Sequence, residues 1–146
     1  MSKFMKTLNN ISRSQAIYRF QRVSSSDLQP GHYAFILTIC DKPGRSQDEL
    51  AKELCINKST VTRNLNYLEE KGYVTRRPLP NDKRQFSVFP TEKMMASLPE
   101  IRRASDEWMA LLSDGIRDED LIIFNSVLEH MQKKAREIIE KQEDNK

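Results

Sequence analysis

Four consecutive polar residues, Asn57, Lys58, Ser59 and Thr60, precede Thr62, Arg63 and Asn66, so that amides, hydroxyls and positive charge share one short stretch of chain. If that stretch opens a helix, free N–H groups and the positive end of the helix dipole lie there too, a combination suited to phosphates and the edges of bases. Arg63 can be bidentate to guanine, and Asn64 or Asn66 can pair with adenine; spacing alone leaves open which of them faces a groove. A second basic cluster follows at Arg76, Arg77, Lys83 and Arg84, with Asp82 among them. Lys83, Arg76 and Arg77 suit phosphate contacts, which set affinity and salt dependence with little sequence information. Other chemistries lack their parts. The sequence holds no phosphate loop and no G-x-S-x-G elbow, and its two cysteines, Cys40 and Cys55, have only His32 and His130 for company. No catalytic residue, metal or cofactor is therefore expected, and reduced thiols are the default.

The elements that must position these residues can be read from periodicity. Apolar residues recur by threes and fours from Ser2 to Val23, which predicts a long helix ended by Ser24-Ser25-Ser26-Asp27. Pro30-Gly31 opens a second apolar run, His32 to Cys40, closed by Pro43-Gly44 and read as a short buried helix. Ser46-x-x-Glu49 is a capping box that starts a third helix, with Leu50, Ala51 and Leu54 on its apolar face. Asn57 is a good N-cap for a fourth, whose Val61, Leu65 and Leu68 share one face and whose C′ residue is Gly72. The period then changes to two in Tyr73–Arg77 and Arg84–Phe89, a β-hairpin with a basic tip. Two more helices follow, one carrying Met94, Leu98, Ile101, Trp108 and Leu112. The other carries Leu121, Phe124, Leu128, Met131, Ala135 and Ile138 as a heptad seam that predicts packing on another helix. Asp118-Glu119-Asp120 reads as the start of the last helix, and Lys141 to Lys146 as a frayed end.

Length and charge bound what this arrangement can be. A chain of 146 residues is one domain by the usual prior, and a mean hydropathy of -0.68 with 31% charged residues describes a polar one. Its longest apolar stretch, Tyr33 to Cys40, falls short of the roughly 20 residues that cross a bilayer, and the N-terminus does not read as a signal peptide, so a cytoplasmic protein with no membrane partner is expected. The net charge of +3 is unevenly placed. Residues 57–90 hold seven basic and three acidic residues, whereas 91–146 hold nine and thirteen. One part of the chain suits a polyanion and the other does not, although solvated helix faces would produce the same pattern.

A short capped helix, a three-residue turn at Cys55-Ile56-Asn57, a second helix with an exposed polar face and a hairpin make a winged helix-turn-helix. The fold class expected is mostly α (α+β), with long N- and C-terminal helices around that lobe. With these parts in this order, the chain resembles the multiple antibiotic resistance regulator (MarR) family over nearly its whole length. The match is strongest from Leu54 to Arg77 and continues from Pro80 to Lys93, through the D-x-R of the wing. The resemblance implies a homodimeric transcription factor on a palindromic double-stranded DNA operator, most simply a repressor, with 1–28 and 92–146 as dimerisation helices and 29–91 as the DNA-binding lobe. It also implies that Ser59, Thr60, Thr62 and Arg63 touch the major groove and Arg84 the minor groove, with Asp82 holding Arg84 in place. A narrow A·T-rich minor groove independently favours an arginine on a rigid hairpin. Asp82 also fits as an ordinary turn residue. Two departures stand out: Cys55 occupies a turn position where Gly is common, which suggests a differently shaped turn, and Met94 replaces a Gly common after the wing.

Members of this family often respond to small phenolic or lipophilic anions, and some to thiol oxidation. Tyr18, Arg22, His32 and Tyr33 lie near the junction of the first two helices and are the candidates for such an effector pocket, with Arg22 and His32 supplying positive charge. Cys40 ends an apolar run and Cys55 sits in the turn, so both read as structural thiols rather than sensors. The alternative function is a non-specific architectural DNA binder or a protein-interaction module on the same fold, since a fold alone does not fix function.

Overall fold

The computed structural model describes residues 2–146. Six helices and one hairpin follow in the order α1 (Lys3–Arg22), α2 (Tyr33–Asp41), α3 (Gln47–Leu54), α4 (Lys58–Glu70), β1 (Val74–Pro78), β2 (Phe86–Pro90), α5 (Glu92–Leu112) and α6 (Asp118–Asp144), with a 3-10 turn at Pro30–His32. The chain forms two compact units, one running through Trp108 and the other from Met109 to Lys146.

The first unit holds the core. Leu28, Ile36, Ile39, Leu50, Val61, Leu65, Leu68, Met94 and Ile101 are fully buried, and Val74 and Val88 close the cluster from the hairpin. The three apolar residues of α4 recur at spacings of four and three, so one stripe of that helix is sealed while its other faces stay wet. The hairpin is antiparallel with Arg76 opposite Val88, and the segment before α3 joins its edge through a bridge between Ser46 and Ser87. The strands start and end one or two residues later than the alternation predicts. Arg84 consequently lies in the tip rather than in a strand.

Helix ends follow local chemistry. The Ser46 hydroxyl accepts the Glu49 N–H at 3.1 Å and Asn57 Oδ1 accepts that of Thr60 at 2.8 Å, each satisfying one of the donors that a helix start leaves open. Gly72, at φ +82°, ends α4 as expected, with the Tyr73 N–H returning to the Leu68 carbonyl. The turn between α3 and α4 keeps the left-handed geometry that Gly would take: Cys55 itself adopts φ 55°, ψ 42°, so the substitution strains the residue instead of reshaping the turn. Its thiol is exposed, not packed.

In the second unit α6 extends through Asp144, beyond the fraying predicted from Lys141 onward. Its acidic first turn complements the helix dipole, and Arg117 just before it grips the Asp120 carboxylate with two bonds of 2.8 and 3.0 Å. None of its residues is buried, and Ile122, Ile123, Phe124, Val127, Met131, Ile138 and Ile139 stand exposed.

Left-handed backbone costs a side chain about 1–2 kcal/mol, and a new glycine returns part of that gain to the unfolded chain. Cys55→Gly should therefore stabilise the protein by about 0.5–1 kcal/mol, read as a higher midpoint in chemical denaturation at unchanged slope.

Candidate nucleic-acid interface

Between the cap at Asn57 and the buried stripe, α4 presents a polar surface that is partly committed to its own lobe. Asn57 is the cap: besides the Thr60 N–H, its Oδ1 accepts the Ser59 hydroxyl at 2.8 Å. Lys58 reaches Asp48 on α3 at 3.4 Å, with both side chains well exposed, so solvent screens this pair and it costs little to exchange. Arg63 donates to the Thr60 hydroxyl at 3.3 Å and is exposed. Thr62 donates its hydroxyl proton to the Lys58 carbonyl and accepts from Gln47 Nε2. Of the two asparagines left open by spacing, Asn64 is turned back onto its own helix, donating to the Thr60 carbonyl at 2.8 Å, whereas Asn66 is exposed.

The hairpin divides its basic residues between two faces. Strand side chains alternate, so Arg76 shares the inward face with the buried Val74, and Arg77 points the other way with its guanidinium 4.5 Å from the centre of the Phe89 ring. The Arg76 side chain is only 16% exposed. Its Nε and one terminal nitrogen bind the two oxygens of Glu69 at 3.2 and 3.1 Å, that same nitrogen binds Asn66 Oδ1 at 2.8 Å, and the other binds Gln47 Oε1 at 3.3 Å. This bidentate partner holds the Glu69 carboxyl below the usual glutamate range. Sequence reasoning makes Arg76 a phosphate contact like Arg77; the geometry instead occupies its guanidinium inside the lobe. At the tip, Asp82 accepts the backbone N–H of Arg84 at 3.0 Å and its carbonyl accepts that of Gln85. Asp82 thus shapes the turn through the main chain, and among the described residues no ion pair joins it to the Arg84 guanidinium. Lys83 and Arg84 project from this turn, exposed. Asp48 ties the tip to α3 by accepting from Gln85 Nε2 at 3.1 Å.

The four residues proposed for an effector differ in their surroundings. Tyr33 is completely buried, and burial pushes its hydroxyl upward in pKa. His32 is buried, accepts the Gln29 N–H on Nδ1 at 2.9 Å and stacks on Tyr67 at 4.8 Å. Burial lowers its pKa, so it is a neutral core histidine and does not supply the positive charge expected of it. Tyr18 and Arg22 do meet: the guanidinium sits 3.4 Å from the ring centre, while its Nε lies 3.6 Å from Glu107, and Trp108 tilts against the same ring at 5.3 Å. The Cys40 thiol is half-buried and pushed up by burial, as a structural thiol would be.

Residues 26–85, the stretch from α2's approach to the tip of the hairpin, match the model of the MarR family. A MarR protein from Peptoclostridium difficile is 26% identical, superposes with a TM-score of 0.87, and the match covers 93% of this chain and 89% of that one. An uncharacterized HTH-type transcriptional regulator of Bacillus subtilis, YybA, is 24% identical over 91% of this chain and 89% of its own length. A Listeria monocytogenes structure described as a MarR family regulator complexed with 26mer DNA shares the fold at a TM-score of 0.85 and 22% identity, over 94% of this chain and 91% of that one. Residues 26–85 thus match the MarR family of transcriptional regulators, and the chain as a whole shares the fold of solved MarR regulators. No helix among the described residues is long and apolar enough to cross a membrane.

Gln47, Asp48 and Glu69 escape a reading that looks for cations. The signal that would have found Glu69 is the parity of Arg76 with Val74, which demands a partner on the element packed behind the strand.

Because the fold lowers the His32 pKa, the unfolded chain binds the extra proton first; the stability it contributes is complete well above the unfolded value of about 6.5 and is lost as pH falls through it. Denaturation midpoints should drop for the wild type between about pH 7.5 and 5.5 and drop less for His32→Phe, which keeps the stack on Tyr67.

Proposed function

We propose that this protein is a cytoplasmic, homodimeric repressor that binds a palindromic operator through α4 and the hairpin tip. The observation that carries this reading is the set of side chains that remain at the surface: Ser59 and Arg63, with the half-buried Thr60, at the start of α4, and Arg77, Lys83 and Arg84 on the hairpin. A helix start with small hydroxyl side chains lets the backbone approach a duplex closely, and Arg63 has the fork that fits guanine. Lys83 and Arg84 stand on a turn whose backbone is tied down at Asp82, which supports Arg84 as the minor-groove contact and Lys83 as a phosphate contact. Lys58 can leave its exposed pairing with Asp48 for a phosphate at little cost.

Dimerisation accounts for the apolar surface. Clustered exposed apolar residues mark partner-binding surfaces, and the candidates are Ile122, Ile123, Phe124, Val127 and Met131 on α6 and, separately, Phe4, Ile11, Ile17 and Phe20 on α1. A two-fold dimer needs half-sites about one helical turn apart, which is the reason for expecting a palindrome. Release by a small aromatic anion belongs to the same reading and narrows to Tyr18 and Arg22, beside Arg19, whose Nε is buried without a hydrogen-bond partner.

Selection from a random duplex pool at about 150 mM salt should return a palindrome; unenriched DNA would favour an architectural binder, and no DNA a protein-interaction module. On the selected duplex Arg84→Ala should cost about 1–3 kcal/mol and relax flanking A·T preference, while Lys83→Ala should weaken all sequences alike. Phe124→Asp should shift sedimentation from dimer towards monomer, because it buries a charge in the proposed interface; an unshifted dimer would place the interface elsewhere.

A further inference from the structure

The hydrogen bonds around Arg76 have only one possible direction. A guanidinium has donors and no acceptor, so each atom facing it must be an acceptor. Asn66 therefore offers Oδ1, at 2.8 Å, and its NH2 group is directed away from Arg76. Gln47 likewise offers Oε1, at 3.3 Å, which leaves its Nε2 to donate to the Thr62 hydroxyl at 3.3 Å. That hydroxyl has one proton, and it is used on the Lys58 carbonyl at 3.0 Å. Glu69 supplies the countercharge that keeps the guanidinium in place. Thr62, Asn66 and Glu69 are spaced by four and three along α4, so they share one face of the helix.

We propose that Arg76 is a positioning residue that sets the hydrogen-bond polarity of α4, fixing the Asn66 amide with its NH2 group turned away from Arg76 and leaving Thr62 as an acceptor only. This inference rests on the reading of α4 as the element that reads bases. Its consequence is specific. Oδ1 of Asn66 keeps one lone pair beside its bond from Arg76, so a bidentate pair with adenine stays open only in the one amide orientation that Arg76 fixes. The NH2 group of Asn66 then addresses base acceptors, O6 or N7 of guanine, O4 of thymine or N7 of adenine, whereas the remaining lone pair of Thr62 selects an exocyclic amine of cytosine or adenine. An arginine that never touches DNA would thus decide which bases are preferred beneath Asn66.

The test uses the full-length protein, the duplex recovered by selection and a random-sequence duplex of equal length. Arg76→Met, which keeps the length of the side chain and removes its donors, and Asn66→Ala, an exposed change on the helix surface that leaves the core intact, are each carried through the same selection. Both should relax preference at the same motif position, by roughly fivefold or more, the worth of one hydrogen bond, and the double variant should relax it no further than either alone. In Arg76→Met the slope of log affinity against log salt on the random duplex should not fall, since that slope counts phosphate contacts. A slope lower by about 0.9 would make Arg76 a phosphate contact and overturn the proposal. So would a motif left unchanged by Asn66→Ala, whatever Arg76→Met does to folding. Failure of the wild type itself to enrich any motif is a different result: it rejects sequence-specific regulation first, and this inference with it.

Discussion

Everything exposed on α4 depends on how the helix is held from behind. Val61, Leu65 and Leu68 are fully buried against a core shared with α2, α3, α5 and the hairpin, and burying side chains of this size contributes about 1.5–3 kcal/mol each. The apolar stripe fixes rotation about the helix axis, and a rotation of one residue would move every polar group by about 100°. A surface that is to read bases needs that constraint before it needs any particular side chain. The hairpin is fixed by the same core, through Val74 and Val88, so helix and wing share one support.

Polar contacts refine what packing fixes. Glu69, Asn66 and Gln47 converge on Arg76, and Asp48 links Gln85 of the hairpin tip to α3 and to Lys58 at the head of α4. These bonds join three elements at their exposed rims, where apolar packing thins out. They also divide the cations of the lobe into two kinds, those such as Arg76 held inside by several hydrogen bonds and those that stay exposed at the surface. A tally of charge cannot make that division, because it depends on the side of the strand from which each side chain leaves.

The same distinction separates what was legible in the sequence from what was not. Periodicities of 3.6 and 2, the caps at Ser46 and Asn57 and the stop at Gly72 are local signals, and each element they predict is present within a residue or two. The side-chain roles were less legible because they depend on contacts between distant parts of the chain. Arg76 and Glu69 are seven residues apart and meet only because the strand folds back on the helix. His32 looks like a cation near a junction until a backbone N–H occupies Nδ1 and Tyr67 covers the ring. Cys55 shows the opposite case: a glycine-like site was recognisable from position, but only the backbone angles reveal that the cysteine accepts the left-handed geometry rather than avoiding it.

The turn at Asp82 has a thermodynamic consequence for whatever binds the wing. Its backbone is ordered by the carboxylate and by the Gln85 N–H, yet the long side chain of Arg84 is tethered by neither. The loss of main-chain freedom is therefore met on folding, while the rotamer entropy of the arginine, about 2 kcal/mol, is retained until a partner immobilises it. A groove that grips the guanidinium in one geometry must offset that full amount, whereas a site that leaves it several rotamers gives up less. On the proposed reading of the wing, sites would be ranked by how much of that entropy each requires Arg84 to surrender.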